Sequence, residues 1–410
     1  MKINLFLLTS TALGHTIHHN HVFSKDDAWI VFDGRNDDTK IGETAEIGIV
    51  HVESGEERII YRTHNPSIYG PGVGAASFAP KQDRVVFIKG LDNVDKQSPY
   101  AMSRRTGYAI DIVRPMLGIE MDARDMEAPY RPGSLRGGTH SHCWNSDGSM
   151  LSFTYNDELQ DADLRVVGVM FPFPKGLPED ELAAKRKGSQ YASIVTAVVR
   201  DPTPGSDQIN KAFDECWLGN KNSIAFQGNT LDNSGKMVTE IFLVDIDKDL
   251  ILKDTVAVGR EGERPAVPEG IRQRRLTKSL HGLSDFRHWL RASPDGAFIY
   301  ALGKDVQGRN QLLRCLVSTG ELMLISDFDF SIASPINISY KGDMLTFIAQ
   351  NNVFVFNVKT AELQQLTDFT AADEPLVGAP VFSRSDNKIA FNQFVVHNGN
   401  RNVQIKLIYL

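Results

Sequence analysis

The sequence predicts an all-β chain folded as a seven-bladed β-propeller, and three observations carry that expectation. One short pattern recurs seven times. Its last two spacings match the size of a four-stranded blade, and the chain ends on an apolar run that needs a partner strand. The pattern is an aromatic or apolar residue, a small polar residue, a turn of Asp, Gly, Asn or Lys, and then a β-rich run. Turn residues between two such runs are the signature of a hairpin.

The first copy is Phe23-Ser24-Lys25-Asp26-Asp27, leading to 29–32, and the second is Phe78-Ala79-Pro80, leading to 85–87. Trp144-Asn145-Ser146-Asp147-Gly148 precedes 150–153, and Trp217-Leu218-Gly219-Asn220 precedes 224–226. The last three are Ser293-Pro294-Asp295-Gly296 before 298–301, Ser339-Tyr340-Lys341-Gly342-Asp343 before 345–347, and Phe382-Ser383-Arg384-Ser385-Asp386 before 389–391. The runs end at 32, 87, 153, 226, 301, 347 and 391, at spacings of 55, 66, 73, 75, 46 and 44 residues. A blade takes ~40–50 residues, so the longer spacings leave room for insertions, expected at about 91–139 and 157–212 of one domain spanning 1–410.

A weaker repeat at 52–56, 317–321 and 358–362 reads as the outer hairpin of blades one, five and six. The final run, 403–410, supplies a third strand to blade seven, and residues 3–8 supply the fourth, which closes the ring and removes an open edge. The other reading of the amino terminus is a degenerate export signal, because residues 1–13 combine a lysine, an apolar stretch and small residues. The strand reading places the protein in the cytoplasm; the signal reading places it in the periplasm. A helix is expected at 178–187, where acids open and lysines close the segment.

Composition narrows the function. Lys and Arg number 44 against 51 Asp and Glu, a net charge of −7, which argues against a general nucleic-acid or anionic-membrane binder. No run reaches the ~18 apolar residues of a membrane span. Three scattered cysteines, Cys143, Cys216 and Cys315, support neither a disulfide framework nor a thiolate metal site. Phosphate-cradling loops and the common serine and zinc hydrolase motifs are absent, and Gly70-Pro71-Gly72-Val73-Gly74 reads as a tight loop leading into a strand.

The histidines carry the chemistry. His19, His140 and His288 each stand seven residues before the turn Asp of their repeat, at 26, 147 and 295; His21 and His142 each stand five before it. Strand alternation would place each His-x-His pair on one face. Innermost strands border the central channel, so His19, His21, His140, His142 and His288 are candidate ligands for one divalent metal, Mn or Zn. Channel histidines that only hold water or backbone groups are the competing reading. His15 and His18 read as loop residues. Arg287 and Arg136 stand near these histidines and suit a substrate carboxylate; salt bridges to Asp122, Asp125 or Glu215 are the alternative. Glu215, two before Trp217, shares the register of His21 and His142 and is expected to face the channel.

Several motifs resemble the YidR-like bacterial family of TolB-like propellers. They are Trp29 to Asp33 with Gly42-Glu43-Thr44, Asp122-Ala123-Arg124-Asp125, and Arg136-Gly137-Gly138-Thr139-His140-Ser141-His142. They continue with Phe153-Thr154-Tyr155-Asn156-Asp157, Pro204-Gly205-Ser206-Asp207, Ala225-Phe226-Gln227-Gly228, Gln273-Arg274-Arg275-Leu276-Thr277 and the run from Arg287 to Gly296. This likeness spans nearly the whole chain and implies the fold without implying a reaction. In architecture and histidine placement the chain also resembles oligogalacturonate lyases, propellers that hold a metal at the channel mouth.

Two functions follow as expectations. The first is a metal-assisted lyase on an acidic oligosaccharide, with His140, His142 and His288 as ligands or base and Arg287 or Arg136 on the carboxylate. The second is a non-catalytic binding propeller whose partner is a protein or an acidic small molecule.

Overall fold

Five of the seven hairpin turns close on a side chain, which explains much of the repeated pattern. The hydroxyl of Ser24 accepts the backbone N–H of Trp29 at 3.0 Å, five residues on. Ser293 does the same for Phe298 at 2.9 Å, Ser339 for Met344 at 3.0 Å and Ser383 for Lys388 at 3.1 Å. In blade three Asn145 substitutes its amide oxygen, accepting from Met150 at 3.0 Å. Such local bonds fix the turn before any tertiary contact forms, and so the motif survives where the intervening sequence does not.

A computed structural model describes residues 4–36, 40–174, 188–370, 374–397 and 399–410. Its strands form seven blades around an axis. Blade one is the sheet of Trp29–Asp33, Glu46–His51 and Glu57–Arg62, and blades two to six are four-stranded meanders. Their innermost strands are Val73–Phe78, Gly137–Trp144, Lys211–Trp217, Arg291–Ala292 and Asn337–Ile338. Blade seven comprises Leu376–Phe382, Lys388–His397, Asn400–Tyr409 and, outermost, Asn4–Leu7. The amino-terminal strand therefore completes the last blade, pairing Asn4 with Tyr409 and Leu7 with Lys406.

The core lies between the blades. Phe32, Phe87, Phe153, Phe226, Phe347 and Phe391 occupy equivalent places on the second strands and are all buried. Each contributes about 1.5–3 kcal/mol of apolar burial. Neighbouring blades are also stitched by turns: Asp27 accepts the backbone N–H groups of Arg384 and Ser385 at 2.8 and 2.9 Å. Gly72 has to be glycine, since a Cβ there would lie 1.8 Å from the carbonyl oxygen of Ile41.

The two spans expected to hold insertions contain blade strands. Within 91–139 lie Arg105–Asp111 and Gly118–Glu120 of blade two, together with a separate parallel pair, Ala123–Arg124 and Ser134–Leu135. Within 157–212 lie Arg165–Pro172 and Gln190–Ile194 of blade three. The helix expected at 178–187 lies outside the described residues. A short helix that the sequence pattern did not single out, Lys248–Lys253, is capped by Asp247, whose carboxylate accepts the N–H groups of Asp249 and Leu250. Among the described residues no helix is long and apolar enough to cross a membrane.

Candidate functional site

Blade one lacks a regular innermost strand, and this absence builds the site. The backbone pairs Thr16 with Asp33 and Phe23 with Ile30, so six residues, 17–22, stand opposite two. His18, His19 and Asn20 thereby leave the ladder and enter the channel. There the His19 ring stacks on Trp289 at 3.7 Å, with His18 3.9 Å behind it. The His19 carbonyl accepts from Arg291 of blade five at 3.0 Å and from Asn337 of blade six at 2.7 Å. The Asn20 amide donates to the Cys143 sulfur of blade three at 3.2 Å. One hexapeptide thus ties four blades together at the axis.

The innermost strands that follow are bulged. In blades two, three and four a non-glycine residue takes positive φ three positions before the strand end: Ala75 at 56°, Ser141 at 57° and Asp214 at 49°. Each coincides with a slip in strand pairing, between Gly74 and Ser77, His140 and Cys143, and Phe213 and Cys216. A bulge sets two residues against one and re-aims the side chains beside it. The alternation expected to put His140 and His142 on one face is therefore broken between them. The same expectation fails for His19 and His21, whose segment is not paired as a strand.

The imidazoles nevertheless gather. Nε2 of His18 and of His19, Nδ1 of His21 and of His142, and both ring nitrogens of His140 are buried without a hydrogen-bond partner among the described residues. Burial is the largest cause holding all five rings below the ordinary imidazole value, and nearby guanidinium groups add to it. His21 and His142 fall to about 3. Each ring is accordingly neutral at neutral pH, with one donor and one acceptor.

Around them stands positive charge. Arg287 is exposed, lies 4.7 Å over the face of Trp289, and pairs with no carboxylate among the described residues. Its charge reaches His18, His19, His140 and Asp214. Arg105 acts on His140 and His142, while Arg165 and Lys211 face Asp214. Asp214 faces these cations; burial raises its pKa to about 6 and Arg287 and Arg165 oppose that rise. A surplus of cations over carboxylates among the described residues of the channel selects an anion.

Three expected site residues go elsewhere. Arg136 is 1% exposed and staples a distant loop, donating to the carbonyls of Val258 at 2.7 Å and Glu263 at 2.6 Å beneath the Tyr130 ring. Its Nε lies 3.7 Å from the Asp157 carboxylate, and burial closes the guanidinium off from a substrate. His288 has both nitrogens occupied by backbone: Nδ1 donates to the Phe286 carbonyl at 2.7 Å, and Nε2 accepts from the Leu302 N–H at 3.0 Å. It is a core histidine. Glu215 turns away from the channel and accepts from Ser152 and Thr154 on the second strand of blade three, at 3.3 and 3.2 Å; burial lifts it to about 7.

These placements decide the fit of a metal. Among the described residues no three His, Cys, Asp or Glu side chains are placed to hold one ion. His288 has no lone pair to offer, and the remaining imidazoles sit among guanidinium groups that repel a dication. The expected Mn or Zn centre does not fit this arrangement.

Sequence reasoning missed several members of the site. His18 reads as loop, and Trp289, Arg105, Arg165, Lys211 and Asp214 carry no role in the sequence reading. Asp214 carried the only available signal, since it occupies in blade four the bulge position that Ser141 holds between the two histidines of blade three.

Comparison with known proteins agrees with this architecture. Residues 72–181 match a family model described as a protein of unknown function, DUF3748. The chain is 34% identical to the uncharacterized protein YidR of Escherichia coli (strain K12) over 399 residues, 94% of each chain. Among solved structures it is similar to an oligogalacturonate lyase in complex with manganese, at 11% identity and a TM-score of 0.58, covering 99% of this chain and 93% of that one. A puromycin hydrolase aligns at 9% identity and a TM-score of 0.55, over 92% of this chain and 50% of that chain. At such identities the structural likeness concerns the fold alone.

Proposed function

The chain belongs to the YidR family, and we propose that its channel mouth binds the carboxylate of an acidic oligosaccharide and cleaves the sugar chain by elimination. The observation that carries this reading is the Arg287 guanidinium, paired with no carboxylate among the described residues, beside neutral imidazoles that each keep at least one ring nitrogen without a partner there. A guanidinium suits a carboxylate through paired hydrogen bonds. Neutral imidazoles suit hydroxyl groups, because each side offers one donor and one acceptor.

The chemistry follows from the same groups. Arg287 neutralises the substrate carboxylate and so acidifies the C–H next to it. A channel imidazole takes that proton; the C–H electron pair becomes a C=C bond, and the neighbouring C–O bond breaks with its pair leaving on oxygen. The imidazole returns its proton to that oxygen, so atoms and charge balance. Its neutrality at rest makes the accepting form the populated one.

A non-catalytic binding propeller is the second reading, favoured by the burial of the ring nitrogens of His140. It shares the ligand and lacks the turnover.

The test is calorimetric titration with di- and trigalacturonate, alongside ultraviolet detection of the unsaturated product. Arg287→Ala is expected to weaken binding by about 10–100-fold, the worth of a charged hydrogen bond, while leaving the melting temperature within a degree or two. Binding without product assigns the binding reading. Absence of binding to any uronate oligosaccharide, or equal affinity in Arg287→Ala, overturns both.

A further inference from the structure

We infer that His142 is the proton acceptor of this channel, held in a single tautomer by a relay that runs from Asp122 through Thr139, and that His19 is held in the opposite role, as a donor. The inference deepens the elimination reading above and rests on it for the reaction, though not for the tautomers.

Hydrogen-bond accounting leads to His142. Thr139 Oγ1 lies 3.0 Å from Asp122 Oδ1, 3.0 Å from the backbone N of Gly107 and 3.0 Å from His142 Nε2. A hydroxyl has one proton and two lone pairs. A carboxylate has nothing to donate, so the hydroxyl proton goes to Asp122. The Gly107 N–H occupies one lone pair of Thr139, and the other is left for His142. His142 therefore donates from Nε2. A neutral imidazole protonated there carries its lone pair on Nδ1, and that atom is buried without a partner.

The relay is itself held. Asp122 Oδ1 accepts from Thr106 Oγ1 at 2.8 Å and from the Gly107 N–H at 2.7 Å. Gly107 has no room for a side chain: a Cβ would come 2.8 Å from His142 Nε2 and 3.1 Å from Asp122 Oδ1. Three elements thus converge on one ring nitrogen.

The other rings are assigned by the same logic. His19 Nδ1 lies 3.0 Å from Arg291 Nη2. A guanidinium can only donate, so Nδ1 accepts, and the unpartnered Nε2 of His19 carries the proton. His288 is saturated by backbone on both sides. Neither nitrogen of His140 has a hydrogen-bond partner among the described residues, so no such bond sets its tautomer. Among these four rings His142 alone combines an anchored N–H with a free lone pair on the opposite nitrogen, as a general base requires. When His142 takes the C–H proton, the Nε2–H bond to Thr139 leads the new positive charge toward the Asp122 carboxylate; the proton then passes to the departing oxygen. Thr139 and Asp122 act as positioning residues.

Nitrogen-15 NMR of the histidine rings in the full-length protein, without ligand, reads the tautomers directly. His142 is expected to show protonated Nε2 with lone-pair Nδ1, and His19 likewise protonated Nε2. Thr139→Val should leave the melting temperature close to wild type and turn His142 into a tautomer mixture, whereas Thr139→Ser keeps the single tautomer. With digalacturonate as substrate, Thr139→Val should lower kcat on the order of 10–100-fold at nearly unchanged KM. A protonated Nδ1 on His142 in the wild type, or an unaltered tautomer in Thr139→Val, overturns the inference. If Thr139→Val does not fold, the wild-type spectrum and Thr139→Ser still decide it. Expected tautomers with no product from any uronate uphold the relay and reject the elimination.

Discussion

Arg291 Nη2 lies 3.0 Å from His19 Nδ1 and 3.0 Å from the His19 carbonyl oxygen, so blade five grips the channel segment of blade one across 272 residues of sequence. Arg291 Nε meets Asn337 Oδ1 at 3.1 Å, and the Asn337 amide returns to the same His19 carbonyl at 2.7 Å. One buried guanidinium thus joins blades one, five and six at the axis. Arg291→Met, similar in length but without donors, removes bonds to the His19 carbonyl and to Asn337 Oδ1 and leaves the buried Nδ1 of His19 without its donor. We expect a loss of about 2–4 kcal/mol in urea unfolding. A loss under about 0.5 kcal/mol would place the closure elsewhere.

Acid should unfold the protein early. His18, His19, His21, His140, His142 and His288 are all held below the ordinary value of 6.5, to about 3 for His21 and His142 and about 4 for His288. Below pH 6.5 the unfolded chain binds protons that the folded one refuses, so stability present above 6.5 is lost as pH falls toward 3–4. Asp214 and Glu215, raised to about 6 and 7, act in the opposite sense, as do Asp122 and Asp386, which burial also raises, but these are four against six. Urea midpoints should fall steadily from pH 6.5 to 4.5, and His288→Asn should flatten the slope. A flat profile over that window contradicts the burial of neutral rings.

Glu215 isolates the carboxyl contribution. Its folded pKa of about 7 lies above the ordinary 4.5, so it favours the fold while protonated and loses that contribution as pH rises through 7. Glu215→Gln keeps an acceptor for Ser152 or Thr154 and removes the charge. Its stability relative to wild type should therefore increase between pH 5 and pH 8, by roughly 1–3 kcal/mol. An equal difference at both pH values would show that Glu215 is ionised throughout.

The outermost strand of blade seven gives a test of closure at the rim. Leu5, Phe6 and Leu7 are 40–51% exposed, so Asn4–Leu7 covers an edge more than it fills a core. Four cross-strand pairs with Asn400–Tyr409 and the edge-on contact of Phe6 with Tyr409 at 5.3 Å hold it. Deleting residues 4–7 should cost about 1–3 kcal/mol and expose an unpaired strand edge that promotes self-association. Size-exclusion chromatography and thermal melts read the two effects; an unchanged elution profile and melt would remove the strand from the closure.

Much of the architecture was legible because hairpin turns are local. The Ser24, Ser293, Ser339 and Ser383 hydroxyls each close on an N–H five residues away, and that bond writes the same pattern into every blade that uses it. The register of His19 and His140 was legible on the same ground. What that register could not give was direction. Bulges usually announce themselves by glycine, yet here Ser141 and Asp214 take positive φ, and His-Ser-His reads as ordinary alternation.

Roles depending on remote backbone were invisible. Arg136 looks like a free guanidinium beside His140 until the carbonyls of Val258 and Glu263, 122 and 127 residues away, are brought to it. His288 looks equivalent to His19 and His140 until the Phe286 carbonyl and the Leu302 N–H take both its nitrogens. A carbonyl carries no side-chain signature, so no pattern of residue types foretells which one will meet a given arginine or imidazole. The amino-acid sequence by itself determined the number of blades, the strand that closes them and the strand on which His140 and His142 lie, since these follow from turn chemistry and apolar runs. Only the tertiary structure decided which rings are bound to the scaffold and which remain available in the channel, because hydrogen bonds between distant segments are assigned by three-dimensional proximity.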